Sequence, residues 1–167
     1  TEDNFFSRQV LSTEQYPGRL YLGICAPGAR LKTALLRVYM AYMAAAQQLF
    51  NDYGVLADPW MTTVGYFNAM RELGGMRRII DDSLRSILSK ANWRGFPNRY
   101  ISPFSVEELN SRRSGVDIPK ILDRLETRFD PQQKEKRDSE IIKEKKPSSQ
   151  YPLDIVLCTN MISVGVD

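Results

Sequence analysis

Leu73, Met76, Ile80, Leu84, Ile87 and Leu88 recur every three or four positions, the spacing of one face of an α-helix. They predict a helix from about residue 68 to 90, with Arg71, Arg77, Arg78, Asp81, Asp82 and Arg85 on its other faces. Gly74 and Gly75 inside it mark either a weak first turn or a close backbone approach. A second such pattern, Ile118, Ile121, Leu122, Leu125 and Phe129, follows Ser114-Gly115-Val116-Asp117, which supplies capping residues. Residues 29–50 are rich in Ala, Leu and Met and predict a long helix. It is apolar nearly all round, so it is expected to be largely buried.

Shorter runs separate these helices. "RLYLGICAPG" (19–28) alternates like a strand and breaks at Pro27-Gly28. "DPWMTTVGYFN" (58–68) carries the β-branched and aromatic residues of a second strand, and "NRYISPF" (98–104) those of a third. "SVEELNSR" (105–112) reads as a loop or short helix. Near the end, "LDIVLC" (153–158) is almost continuously apolar, as befits a central parallel strand covered on both faces. Residues 1–18 read as an irregular lead-in, and residues 130–150 mix charges of both signs with little apolar content. That stretch buries too little to offset its ordering entropy and predicts a flexible insertion or an exposed helix. Strands alternating with helices imply one α/β domain over residues 19–167 with a mostly parallel sheet. No internal repeat is present.

Composition narrows the chemistry. The 167 residues are 43% hydrophobic with a formal net charge of +3, so any attraction for a polyanion must come from local clusters. Histidine is absent and only Cys25 and Cys158 occur, which excludes a His-containing zinc site, a Cys-rich metal site and a Ser-His-Asp triad. Both cysteines are expected as buried, small apolar residues of a reducing compartment. No leader pattern and no membrane-length apolar stretch occurs, so the expected location is cytoplasmic, with no membrane partner. The first residue is Thr1 and the last Asp167, and a fragment of a longer protein is expected.

Three stretches invite a functional reading. "GARLKT" (28–33) ends like a phosphate-binding loop, but Gly28 is followed by Ala29 and Leu31 precedes Lys32; the glycine beside the lysine, needed to wrap a phosphate, is missing. Arg30 and Lys32 nevertheless sit at a predicted helix N-terminus, where the macrodipole disfavours cations, and a nucleic-acid phosphate docked there would reverse the sign. In "VEELNSRRSG" (106–115), Glu107 and Glu108 are adjacent and not a facing carboxylate pair, so they are expected as solvated charges. Asn110, Ser111 and Arg112 suit phosphate contacts. Finally, Thr159 and Asn160 follow the last strand at once, with Gly165 and Asp167 a few residues beyond, where open α/β sheets bind ligands. No GxGxxG follows any predicted strand, which argues against a dinucleotide-binding domain.

The last of these stretches, "TNMISVGVD" (159–167), resembles motif V of superfamily 2 helicases over all nine positions. "TTVGYFNAMRELGG" (62–75) looks like motif IV, and "VEELNSR" like the nucleic-acid-touching motif between IV and V. The wording is most similar to the DrmA-like helicases of DISARM phage-defence systems, with Asn110 where that subgroup usually has Thr. The resemblance covers the chain from about residue 19. It implies a truncated second lobe with a mostly parallel RecA-like sheet of the P-loop NTPase type, flanked by helices. By that resemblance Thr159 and Asn160 would contact the nucleic-acid backbone or relay between the nucleic-acid and nucleotide sites, with DNA first and RNA as the alternative, and Tyr66, Phe67 and Asn68 would fall in motif IV. Gly165 and Asp167 would face nucleotide. ATP and Mg2+ would be bound only with the first RecA-like lobe of the same polypeptide, and other phage-defence proteins are possible partners. Neither the first lobe nor the arginine-bearing motif VI is found here, so no catalytic residue, no metal ligand and no ATP turnover is expected of this chain alone. The alternative is a noncatalytic nucleic-acid-binding or protein-interaction module with a degenerate motor fold.

Overall fold

The computed structural model describes Glu14, Gly18 and residues 20–110, 112–143 and 151–159. Three strands form one parallel sheet: β1 (Thr63–Phe67), β2 (Val106–Leu109) and β3 (Ile155–Thr159), in the order β1-β3-β2. Among the described strands the last in sequence is thus the central one, and all five of its residues are buried. Its alternation divides the core. Ile155 and Leu157 pack with Met43, Leu73, Ile80 and Leu84 on one face, while Val156 and Cys158 pack with Leu109 and Ile121 on the other. The continuous apolar run is what a strand covered on both faces requires.

The helices follow from the same logic. α1 (Leu31–Tyr53) ends at Gly54, whose φ of 57° only glycine adopts without strain. α2 (Asp58–Met61) is one turn ahead of β1. α3 (Met70–Ile79) and α4 (Arg85–Leu88) are joined by a single π-helical stretch, Ile80–Leu84. Leu73, Met76, Ile80, Leu84 and Leu88 are all essentially buried, and the π stretch explains how. Steps of four residues overshoot an α-helical turn of 3.6, so successive apolar residues drift around the axis; one wider turn absorbs the drift and keeps the row on the sheet. α5 (Asp117–Leu125) covers the opposite face with Ile121, and α6 (Pro131–Ile142) lies within the charged stretch.

Several sequence expectations are corrected. Residues 20–25 form no strand: they carry no regular secondary structure and are exposed, Leu20 and Tyr21 more than 80% so. The strand expected at 98–104 lies instead at Val106–Leu109, where a loop or short helix is predicted. α1 is not buried all round; Leu31, Tyr42 and Tyr53 are each more than half exposed. Gly74 and Gly75 meet no close neighbour, whereas a Cβ at Gly65 would collide with the Tyr39 hydroxyl. Gly65 is therefore the close approach, letting α1 settle on β1. The charged stretch takes the helical one of its two expected forms over 131–142, but Arg137 within it is buried.

The cysteines also part company: Cys158 is buried and Cys25 exposed. Burial pushes the Cys158 thiol from 9.0 up to about 11. Burial, and secondarily Cys158, pushes Tyr39 from 10.0 up to about 12. Both groups therefore keep their protons in the folded state above the pH at which the unfolded chain loses them, and stability falls as pH rises through about 9 to 11 for Cys158 and about 10 to 12 for Tyr39. Between pH 7.5 and 10.5 the Cys158 contribution is a loss on the order of 2 kcal/mol. Urea unfolding at the two pH values should show it, and Cys158→Ala should flatten the pH dependence. An equal alkaline loss in the variant would rule out Cys158 as the cause.

Candidate nucleic-acid interface

Because all three strands are parallel, their carboxyl ends lie along one edge of the sheet, the edge where open α/β sheets bind ligands. Phe67 pairs in register with Thr159, and Leu109 with Cys158. Asn110 follows Leu109, the last residue of β2, and Thr159 follows its partner Cys158 as the last residue of β3, so these two polar residues leave neighbouring strands side by side. Each is mostly buried, at 7% and 8% exposure. Tyr66 and Phe67 separate on β1, Tyr66 being 57% exposed and Phe67 in the core.

Asn110 shapes the turn that leaves β2. Its side-chain oxygen accepts from the Arg112 backbone N–H at 3.0 Å, and its backbone carbonyl accepts from the Arg113 N–H at 3.1 Å, an Asx turn. The side-chain amide nitrogen is left as the group able to donate to a phosphate. Arg112 is exposed and makes no ion pair with a described residue. Arg113 is occupied: it donates to the Glu108 carbonyl at 3.0 Å and pairs with Glu107 at 3.1 Å. Glu107 also takes Arg124 at 3.0 Å. It is therefore not the solvated charge expected of it but the bridge that ties α5 to β2. Its neighbour Glu108 lies on the opposite face of the strand, so the two carboxylates form no catalytic pair.

Arg30 and Lys32 reach the same end of the molecule by the direction of α1. Tyr39 meets Gly65 in the middle of β1. One turn later, the Met43 carbonyl accepts from Arg99 at 3.3 Å, while the same guanidinium donates to the Met61 carbonyl ahead of β1 at 2.6 Å. α1 thus runs antiparallel to β1, and its first turn lies toward the carboxyl edge. That turn holds no acidic residue, and Arg30 at the cap makes no side-chain capping bond. Both cations are exposed, so a helix N-terminus and two positive side chains share one end of the domain with Thr159 and Asn110. Ser111, Asn160, Gly165 and Asp167 lie outside the described residues.

The sequence reading does not single out Arg99, Arg137 and Asp154. Arg99 is 1% exposed and its guanidinium meets Asp154 at 2.8 Å; Arg137 pairs with the other oxygen of the same carboxylate. They lie at the amino edge, opposite the candidate interface. A polar Asp154 inside the apolar run Leu153–Leu157 is the one local signal of a buried partner. Among the described residues no group of three or more Cys, Asp or Glu is arranged to hold a metal ion, and no helix is long and apolar enough to cross a membrane.

Comparison with known proteins adds a relative. The chain is 38% identical over 170 residues to the DISARM protein DrmA of Bacillus paralicheniformis, an alignment covering 99% of this chain. It is homologous to that segment, and it spans 13% of the length of the curated relative it matches. No protein-family model matches the chain.

Proposed function

We propose that this chain supplies part of the second RecA-like motor lobe of an ATP-dependent DNA helicase or translocase. The observation that carries the reading is the shared carboxyl edge: Thr159, from the stretch resembling motif V, is the last residue of β3, and Asn110, from the stretch before it, is the first residue after β2, the strand beside it. Homology to the DISARM protein DrmA supports it and points to a role beside other phage-defence proteins. The nine-residue spacing from Thr159 to Asp167 supports it as well.

On this reading Thr159, Asn160, Asn110, Ser111 and Arg112 face the nucleic acid, with Arg30 and Lys32 on its phosphates. Gly165 lets the main chain approach the nucleotide and Asp167 lies near the ribose. ATP with Mg2+ supplies the free energy of stepping from the cleft shared with the first lobe, and RNA is the alternative track. The test is made on the full-length protein, whose ATP turnover is expected to rise on adding DNA. Nucleic-acid binding without any turnover would favour instead a noncatalytic nucleic-acid-binding or protein-interaction module.

A further inference from the structure

From Ser83 to Val106 the sequence carries four cations, Arg85, Lys90, Arg94 and Arg99, and no Asp or Glu. Four aromatic residues, Trp93, Phe96, Tyr100 and Phe104, are interleaved with them. Two of the cations are committed inside the fold: Arg85 donates to the Ile101 carbonyl at 2.8 Å, and Arg99 is buried against Asp154. Lys90 and Arg94 are exposed and make no ion pair with a described residue. They flank Trp93, which is 71% exposed, although tryptophan is highly buried on average.

The turn that presents this indole is held by its own hydrogen bonds. Ala91–Arg94 forms a single 3-10 turn closed by Gly95 at a φ of 80°. The Gly95 N–H donates to the Asn92 carbonyl at 3.0 Å, the Phe96 N–H to the Ala91 carbonyl at 3.3 Å, and the Asn92 N–H to the Asn98 side-chain oxygen at 2.9 Å. The Arg94 guanidinium stacks 4.7 Å from the indole centroid and donates toward the Met40 sulfur at 3.2 Å. Beside the indole is an open cleft of about 510 Å³ lined by Ser86, Ile87, Lys90, Asn92 and Trp93. Arg94 lies outside that lining, so the guanidinium leaves part of the indole surface to the cleft.

We propose that Trp93 stacks an unpaired base of a single-stranded nucleic acid in this cleft, with Lys90 and Arg94 on the adjoining phosphates. Every base has a π-face, so an exposed aromatic flanked by cations is a stacking platform that tolerates any sequence. Exposed Trp and Arg also serve protein interfaces, but a carboxylate-free run with two unpaired cations favours a polyanion. The inference rests on the nucleic-acid reading above, yet it concerns the opposite, amino-edge end of the domain. α3 leaves the carboxyl end of β1, and the helix ends at Leu88, whose carbonyl accepts from the Arg99 N–H at 2.9 Å.

The two tryptophans, Trp60 and Trp93, allow a direct test. With Trp60→Phe leaving Trp93 as reporter, a short oligo(dT) should quench fluorescence, and added salt should reverse the quenching. Trp93→Leu should weaken oligo(dT) binding about 5- to 100-fold, read by anisotropy of a labelled oligonucleotide. Joint replacement of Lys90 and Arg94 by Ala should lower the salt slope by about 1.4. If Trp93→Leu binds as wild type while Arg112→Ala binds more weakly, the stacking site is wrong and the carboxyl-edge interface stands. If the unmodified chain binds no oligo(dT), both are wrong.

Discussion

Replacing Asp154 with Ala is expected to cost about 3–5 kcal/mol of stability, the usual penalty for stranding a buried charge. Here two charges would be stranded. Arg99 donates to the Met61 carbonyl at 2.6 Å and to Asp154 at 2.8 Å, and its Nε already has no partner. Arg137 holds the second carboxylate oxygen, and the Phe129 ring lies 5.9 and 5.0 Å from the two guanidinium carbons. Burial lowers the Arg99 pKa and Asp154 is the main influence raising it again. Asp154→Asn keeps the shape and one acceptor, so its penalty should be smaller. Arg137→Met removes one cation, leaves the Arg99 pair intact, and should be milder than either, freeing α6 while the sheet survives. Urea denaturation followed by circular dichroism ranks the three. A loss below about 1 kcal/mol for Asp154→Ala would mean the cluster is not a structural centre.

This cluster also marks where the sequence stops being legible. The row from Leu73 to Leu88 and the apolar run of β3 carry their own periodicity, so the long helix and the doubly covered central strand can be read directly. Arg99, Arg137 and Asp154 lie apart in the chain, and although Asp154 in its apolar run hints at a buried partner, nothing local says that the partners are Arg99 and Arg137. The buried Arg99 also explains the misplaced strand. "NRYISPF" has strand composition, but Arg99 turns inward to bond three elements and Pro103 opens a short 3-10 turn. The ladder then falls to Val106–Leu109, whose two adjacent glutamates hide its alternation. Residues 20–25 alternate like a strand yet pair with no described strand, because pairing depends on a neighbour and not on pattern alone. The carboxyl-edge site was half legible in the same sense. Thr159 and Asn110 are visible as polar residues after strands, but their adjacency depends on β3 inserting between β1 and β2, which sequence order does not reveal.

That adjacency yields the second large effect. In the full-length protein, Thr159→Val is expected to lower DNA-stimulated ATP turnover on the order of 10²-fold if Thr159 relays nucleic-acid contact to the nucleotide site, a loss comparable in size to that of one preorganised donor. Valine keeps the β-branched shape at the end of a buried strand, so folding should be preserved. DNA affinity without nucleotide should fall by no more than about tenfold, the worth of one hydrogen bond. Asp167→Ala should also reduce turnover while leaving DNA affinity unchanged, because it is assigned to the nucleotide side. Arg112→Ala should do the reverse, weakening DNA binding and its salt slope by about 0.9 for duplex DNA. The separation follows from the proposed geometry, in which one stretch of chain from Thr159 to Asp167 touches both ligands. If Thr159→Val lowers affinity and turnover in equal proportion, Thr159 only holds DNA and the coupling lies elsewhere. If it changes neither, the carboxyl edge is not the working face of this domain.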